Sequence, residues 1–126
     1  MKPIRANGFS LIELMVVMAI IALLLTIALP RYQASIEKAR EEALLTNLKV
    51  MRHGIERYYE DKGQYPESLP VLVEARYLKA IPIDPVTESA DTWIVSEELT
   101  GGRVVVVDVA SGAKGMSSQG LRYSEL

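Results

Sequence analysis

The sequence predicts an α+β fold in which one long N-terminal α-helix packs on a small antiparallel β-sheet. Three observations lead to this prediction. Residues 14–29 form an apolar run without any charge, glycine or proline, and a helical spacing of apolar residues follows it as far as Lys62. Two short segments rich in β-branched residues, typical of strands, lie near the C-terminus. A chain of 126 residues is long enough for one small domain and an anchor.

The first predicted element is a transmembrane helix over residues 9–29. This stretch contains a single charged residue, Glu13, and its leucine, isoleucine, valine, methionine and alanine side chains fall on every face of a helix. At about 1.5 Å of rise per residue, it spans the hydrocarbon core of a bilayer, which is roughly 30 Å thick.

The segment before this helix has an unusual order of parts. Lys2 and Arg5 form a basic start, but the small residues Ala6-Asn7-Gly8 precede the apolar run, and no good cleavage site follows it. A secretory signal has the opposite order. Cleavage after Gly8 would leave the apolar helix on the mature chain, beginning with Phe9.

This arrangement of charge, Gly8-Phe9 and Glu13 before one apolar run resembles the processing signal of the type IV pilin superfamily, which includes pilins and type II secretion pseudopilins. The resemblance implies that residues 1–8 are a leader removed by a prepilin peptidase, which also methylates Phe9. It implies that residues 9–29 form the transmembrane and assembly helix, and that Glu13 takes part in assembly.

A carboxylate at the position of Glu13 needs a physical reason, because a charge inside a bilayer costs about 2.5–3.5 kcal/mol at its centre and less near the interface. Glu13 is able to accept the charged amine of Phe9 from a neighbouring subunit, so that the two charges neutralise each other. The alternative is a glutamate at a helix start that the macrodipole stabilises.

Residues 30–62 are predicted to continue the helix as an amphipathic segment, with a kink or soft spot at Pro30, which lacks a backbone N–H. Gly63 is the expected stop. The resemblance implies that Pro30 lets the helix stretch locally on assembly. The apolar stripe of this segment consists of Ile36, Ala39, Ala43, Leu44, Leu48, Met51, Ile55, Tyr58 and Tyr59.

Residues 63–126 are predicted to form a loop region and a small sheet that, with residues 30–62, make the globular domain. Two strands are expected, over residues 92–96 and 103–109, joined through residues 97–101, with a third short strand over 121–123. The run of consecutive valines in the second strand favours a central strand. The segment Gly63-Gln64-Tyr65-Pro66 resembles the start of the variable loop of the major, G-type pseudopilins. The segment Ile81-Pro82-Ile83-Asp84-Pro85 resembles the Pro-x-Asp-Pro that follows this loop in them.

The composition excludes several classes of function. Without cysteine the chain forms no disulfide and no thiolate nucleophile. A net charge of −2 gives no basic surface for nucleic acid. The single histidine, His53, is interpreted as a solvated or partly packed helix residue rather than a metal ligand, and neither a phosphate-binding loop nor a catalytic triad is present. The chain is therefore not expected to be an enzyme.

No cofactor is expected, with calcium as the one exception considered. G-type pseudopilins carry a calcium site in their C-terminal loops, whereas residues 110–120 of this chain contain no acidic residue. Calcium needs a cluster of oxygen ligands. Asp84, Asp91 and Asp108 are nearby in sequence and are weak candidates, because the sequence does not place them together.

The resemblance implies a structural subunit of a type II secretion pseudopilus, anchored in the bacterial inner membrane with its C-terminal domain in the periplasm. Expected partners are further copies of the chain in a helical filament, the prepilin peptidase, an inner-membrane assembly platform with its ATPase, and minor pseudopilins. Two alternatives stay open. One is a subunit of a surface type IV pilus serving adhesion, motility or DNA uptake. The other is a membrane-anchored binding protein that never polymerises, which predicts no cleavage at Gly8 and tolerance of Glu13→Ala.

Overall fold

The computed structural model describes residues 1–126 and contains one long helix and one antiparallel hairpin, which confirms the predicted α+β fold. The chain divides into two compact units, Met1–Glu37 and Lys38–Leu126. In order, the elements are helix α1 (Leu11–Lys62), helix α2 (Leu69–Glu74), strands β1 (Trp93–Thr100) and β2 (Arg103–Ser111), and a 3₁₀ turn (Tyr123–Glu125).

Helix α1 starts two residues later than the apolar run predicts and ends where glycine predicts. It remains helical through Pro30. At its C-terminus Gly63 adopts a φ of 70°, and its N–H donates to the carbonyl of Tyr59 at 2.8 Å. A side chain disfavours this left-handed conformation, so the glycine is a suitable terminator.

The part of α1 in the first unit is apolar and exposed. The large hydrophobic side chains between residues 11 and 29 have exposed fractions from 44% at Val17 to 77% at Leu11. By length and composition, α1 is able to cross a membrane. In water this exposed apolar surface is unfavourable, and it is stable only when lipid or another protein covers it.

The second unit has one hydrophobic core, to which α1 contributes the largest share. Leu44, Leu48, Met51 and Ile55 are at most 1% exposed. They pack with Leu69, Leu72, Leu78, Val106 and Val109. Burying each such side chain contributes about 1.5–3 kcal/mol. The predicted stripe nevertheless started too early, because Ile36, Ala39 and Ala43 are exposed, and it ran too far, because Tyr59 is exposed.

The hairpin connection is shorter than predicted. Residues 97–100, expected in the connection, belong to β1, and the turn consists of Gly101 and Gly102 alone. Both glycines have a positive φ, 59° and 80°. A two-residue turn of type I′ requires a positive φ at both positions, so this pair sets the register of the hairpin.

The prediction of a central strand was wrong, because β2 pairs with β1 alone. The consecutive valines have a different cause. Ser96 is opposite Asp108 and Glu97 is opposite Val106, so Val107 is an extra residue in a β-bulge. The bulge changes which side chains face inwards, and Val106 and Val109 are both in the core.

The expected third strand over residues 121–123 is not formed. The C-terminal region instead contains one isolated bridge between Met116 and Arg122, followed by the 3₁₀ turn. Arg52 of α1 reaches this side of the unit. Its guanidinium donates to the Asp108 carboxylate and to the Val109 carbonyl, both at 2.9 Å, and to the Leu126 carbonyl at 2.7 Å.

Trp93 packs partly buried against the core of the second unit. Its indole N–H donates to the carbonyl of Pro82 at 2.8 Å. Because Trp93 is the only tryptophan of the chain, its fluorescence reports on this unit alone.

Candidate functional site

The start of α1 is closed by a capping box that brings Glu13 back to the helix N-terminus. The Ser10 hydroxyl accepts a hydrogen bond from the Glu13 N–H at 3.2 Å, and the Glu13 carboxylate accepts one from the Ser10 N–H at 3.4 Å. Each side chain thereby satisfies a backbone donor that the helix leaves free. The pattern Ser-x-x-Glu signals such a cap, and our sequence interpretation of Glu13 missed this local role.

Gly8 and Phe9 precede the helix in a segment without secondary structure. Phe9 is 85% exposed, and no atom lies within 4 Å of the position where Gly8 would carry a Cβ. The peptide bond between them is therefore accessible. An accessible bond beside a small residue, outside any helix or strand, suits cleavage, which stays a prediction for this position.

The rest of α1 as far as Pro30 contains one polar side chain, that of Thr26, and one residue without a backbone N–H donor, Pro30. Thr26 satisfies its hydroxyl within the helix by donating to the carbonyl of Ala22 at 2.8 Å. Pro30 has no N–H for the Thr26 carbonyl, so one helical hydrogen bond is missing at this point of α1. The predicted softness at Pro30 has this local basis, and its role in assembly stays a prediction.

The three candidate calcium ligands have separate surroundings. Asp84 is fully buried, and its carboxylate accepts from the Val86 N–H at 2.8 Å and from the Ser111 hydroxyl at 2.5 Å. Asp108 is paired with Arg52 at 2.9 Å, whereas Asp91 is exposed. No three His, Asp or Glu side chains are grouped so as to hold a metal ion.

The donors around Asp84 do not fit a calcium site. Calcium is coordinated by oxygen atoms, and here N–H and O–H groups occupy the places around the carboxylate. His53, predicted to be solvated, is exposed on α1.

Glu41 is a buried carboxylate that the sequence interpretation missed. It is 9% exposed, and its two oxygens accept from the Ser118 N–H at 2.6 Å and from the Ser118 hydroxyl at 2.5 Å. These two hydrogen bonds lower the pKa of Glu41 below its ordinary value of 4.5, with a smaller contribution from Tyr123, while burial opposes them. The predicted apolar stripe does not include Glu41, because a glutamate on a helix is usually solvated.

Residues 4–29 match the family described as the prokaryotic N-terminal methylation motif. This range contains the capping box, the Gly8–Phe9 bond and the apolar part of α1. No solved structure matches the chain significantly.

Proteins that are similar to this chain beyond the methylation motif are pilins and secretion proteins. It is 30% identical over 108 residues to the type IV major pilin protein PilE1 of Neisseria gonorrhoeae, covering 78% of this chain and 60% of that pilin. The chain therefore spans less than two thirds of the length of this relative.

The second group of relatives carries the name type II secretion system core protein G. The protein of Aeromonas hydrophila is 27% identical over 101 residues, which cover 68% of this chain and 71% of that protein. The protein of Escherichia coli (strain K12) is 29% identical over 97 residues, which cover 64% of this chain and 67% of that protein. With the methylation motif and the helix-on-hairpin fold, these similarities identify the chain as a member of the type IV pilin-like superfamily with a resemblance to the G-type pseudopilins.

Proposed function

We propose that the chain is a filament subunit of a type II secretion pseudopilus, cleaved between Gly8 and Phe9 by a prepilin peptidase and methylated on Phe9. The filament stands in the periplasm on the inner membrane and drives protein export across the outer membrane. Its subunits associate through residues 9–29. An inner-membrane platform with an ATPase supplies the energy, and minor pseudopilins complete the assembly.

The observation that carries this proposal is the exposed apolar surface of α1 between residues 11 and 29. No part of this chain covers it, and its only charge is the capped Glu13. Lipid covers such a surface before assembly. Helices of neighbouring copies cover it equally well once the subunit leaves the bilayer, because lipid tails and leucine side chains are similarly apolar.

In the proposed filament, Glu13 determines how neighbouring copies are aligned. Cleavage after Gly8 creates a positively charged amine on Phe9, four residues before the carboxylate in the capping box. A carboxylate in an apolar surrounding is stabilised by a cation far more than by neutral donors. We therefore assign to Glu13 the role of accepting the Phe9 amine of a neighbouring copy.

Two substitutions separate this role from the local cap. Glu13→Gln keeps the capping box, which accepts Glu or Gln at this position, but removes the charge. Ser10→Ala removes the hydroxyl of the cap and keeps the charge. If the carboxylate aligns subunits, Glu13→Gln abolishes filaments seen by electron microscopy in overexpressing cells, and Ser10→Ala leaves them. Loss of filaments in Ser10→Ala with retention in Glu13→Gln contradicts the assigned role.

One structural feature and one sequence comparison support a pseudopilus. The segments that resemble G-type pseudopilins hold the sheet: the Pro66 carbonyl accepts from the Val106 N–H at 2.8 Å, and the Pro82 carbonyl accepts from the Trp93 indole. The match also covers a larger share of the core protein G of Aeromonas hydrophila, 71%, than of the gonococcal pilin, 60%.

A surface type IV pilus is the second candidate, and the 30% identity to the gonococcal pilin favours it. Shearing of cells at native expression separates the two. A surface pilus is recovered in the sheared fraction, whereas a pseudopilus stays with the cells, and its deletion leaves secreted proteins in the periplasm.

The first experiment is an intact mass with fragment ions over the N-terminus, on protein from native membranes. We expect a chain that begins with methylated Phe9. A chain that still begins with Met1, in cells with an active prepilin peptidase, contradicts the filament proposal and favours an anchored binding protein.

A further inference from the structure

The C-terminal loop, residues 112–121, has no acidic residue and folds around its own backbone. The Ser117 N–H donates to the Leu121 carbonyl at 2.7 Å, and the Ser117 hydroxyl accepts from the N–H groups of Gln119 and Leu121, both at 3.3 Å. The N–H groups of Ser117, Gln119 and Leu121 are thus satisfied within the loop. The N–H and hydroxyl of Ser118 are left to a partner outside the loop.

That partner is Glu41 of α1. Both of its oxygens are used by Ser118, at 2.6 and 2.5 Å. None of the three ion pairs of the structure includes Glu41. A buried carboxylate without a cation requires hydrogen bonds from several donors, and hydrogen bonds to a charged acceptor are the strong ones.

A second carboxylate holds the other end of the loop. Asp84 and Ser111 are both fully buried, and the Ser111 hydroxyl donates to Asp84 at 2.5 Å. The same hydroxyl accepts from the N–H of Ala113, the second residue of the loop, at 3.1 Å. Two consecutive hydrogen bonds therefore connect the Asp84 carboxylate, through the Ser111 hydroxyl, to the backbone at the start of the loop.

The two ends share one chemistry. At each end of the loop, a carboxylate that lies outside the loop accepts hydrogen bonds. The donors are hydroxyl or N–H groups of residues in the loop or next to the loop. A calcium ion needs the reverse arrangement, in which oxygen lone pairs converge on a cation. Binding at either carboxylate would displace donors already in place and leave them unpaired, at a cost of the order of a lost hydrogen bond each.

We propose that the C-terminal loop is held in place by the Glu41 and Asp84 carboxylates acting as hydrogen-bond acceptors, and that it folds without calcium. The loop then depends on one residue of α1 that lies 77 positions away in sequence from Ser118. The proposal applies to a pseudopilus and to a surface pilus alike.

The first test measures calcium dependence on the full chain in detergent micelles. Urea unfolding is followed by Trp93 fluorescence, and amide hydrogen exchange is followed over residues 112–121. We expect the same unfolding midpoint and the same loop protection in millimolar calcium chloride and in excess EDTA. A midpoint or a loop protection that rises with calcium overturns the calcium-free part of the proposal.

The second test measures the contribution of Glu41. Glu41→Leu removes both acceptors, and Glu42→Leu makes the same change on an exposed neighbour. We expect the Ser118 amide to exchange faster by about tenfold or more in Glu41→Leu and to be unchanged in Glu42→Leu. Glu41→Gln, which keeps one oxygen acceptor, gives a smaller acceleration.

Ser118 exchange is compared with the unfolding midpoint of the same variant, because leucine at a buried position is able to add packing and raise global stability while the loop is released. Equal Ser118 exchange in the Glu41 and Glu42 variants overturns the role of Glu41.

Discussion

Replacing Leu48 by alanine tests whether the back half of α1 supplies the core of the second unit. Leu48 is 1% exposed and belongs to the cluster that joins α1 to α2 and β2. The substitution removes apolar contacts and leaves a cavity that the packed neighbours fill only in part. A buried leucine-to-alanine change of this kind costs about 2–5 kcal/mol.

Leu45→Ala is the matched control, because Leu45 is on the same helix but 45% exposed. It loses part of a side chain's burial and gains the higher helix propensity of alanine. Urea unfolding followed by Trp93 fluorescence reports on this unit rather than on the apolar end of α1. For an m-value of roughly 1–3 kcal/mol/M, we expect Leu48→Ala to lower the midpoint by about 1 M or more, with little change in Leu45→Ala.

Equal midpoints for the two variants would refute the packing of α1 on the sheet. So would a larger loss in Leu45→Ala, since that result would place the core on a different face of the helix from the one that carries Leu48.

Two further predictions concern the second unit. An alanine Cβ at Gly112 would lie 2.0 Å from the Thr92 carbonyl oxygen, so Gly112→Ala forces a backbone shift and costs about 1–3 kcal/mol in the same assay. In Gly54→Ala the added Cβ would lie 3.2 Å from the Leu78 side chain, so we expect a smaller loss of stability. A loss equal to that of Gly112→Ala would contradict the close approach at Gly112. Because its folded-state pKa lies below 4.5, Glu41 stabilises the unit above that pH and loses this contribution as the pH falls through the folded-state value. The unfolding midpoints of the native chain and of Glu41→Gln should therefore differ at neutral pH and converge at acid pH; curves that stay parallel would contradict the contribution of this carboxylate.

The elements that could be predicted from the sequence are those whose signals are local. The apolar run of α1, its end at Gly63 and the β-character of the two strands each depend on neighbouring residues. The Gly8-Phe9 and Glu13 pattern is local as well, and it led to the family that the relatives support.

The features that could not be predicted depend on distant contacts. The burial of Glu41 requires Ser118, and the burial of Asp84 requires Ser111, 27 residues away. The length of β1 was underestimated because Glu97 and Glu98 are polar residues that usually occur in loops. The turn at Gly101 and the bulge opposite Glu97 keep both glutamates in the ladder.

The outer edge of β1 has a consequence for how copies of this chain avoid the wrong contacts. Its backbone groups on that side have no partner in the chain, which makes the strand a template for pairing with any extended segment. The bulge twists the strand, and Glu97 and Glu98 place two adjacent negative charges on it. Two such edges meeting side by side would bring four carboxylates together. Edge-to-edge pairing between copies of the chain is thereby disfavoured.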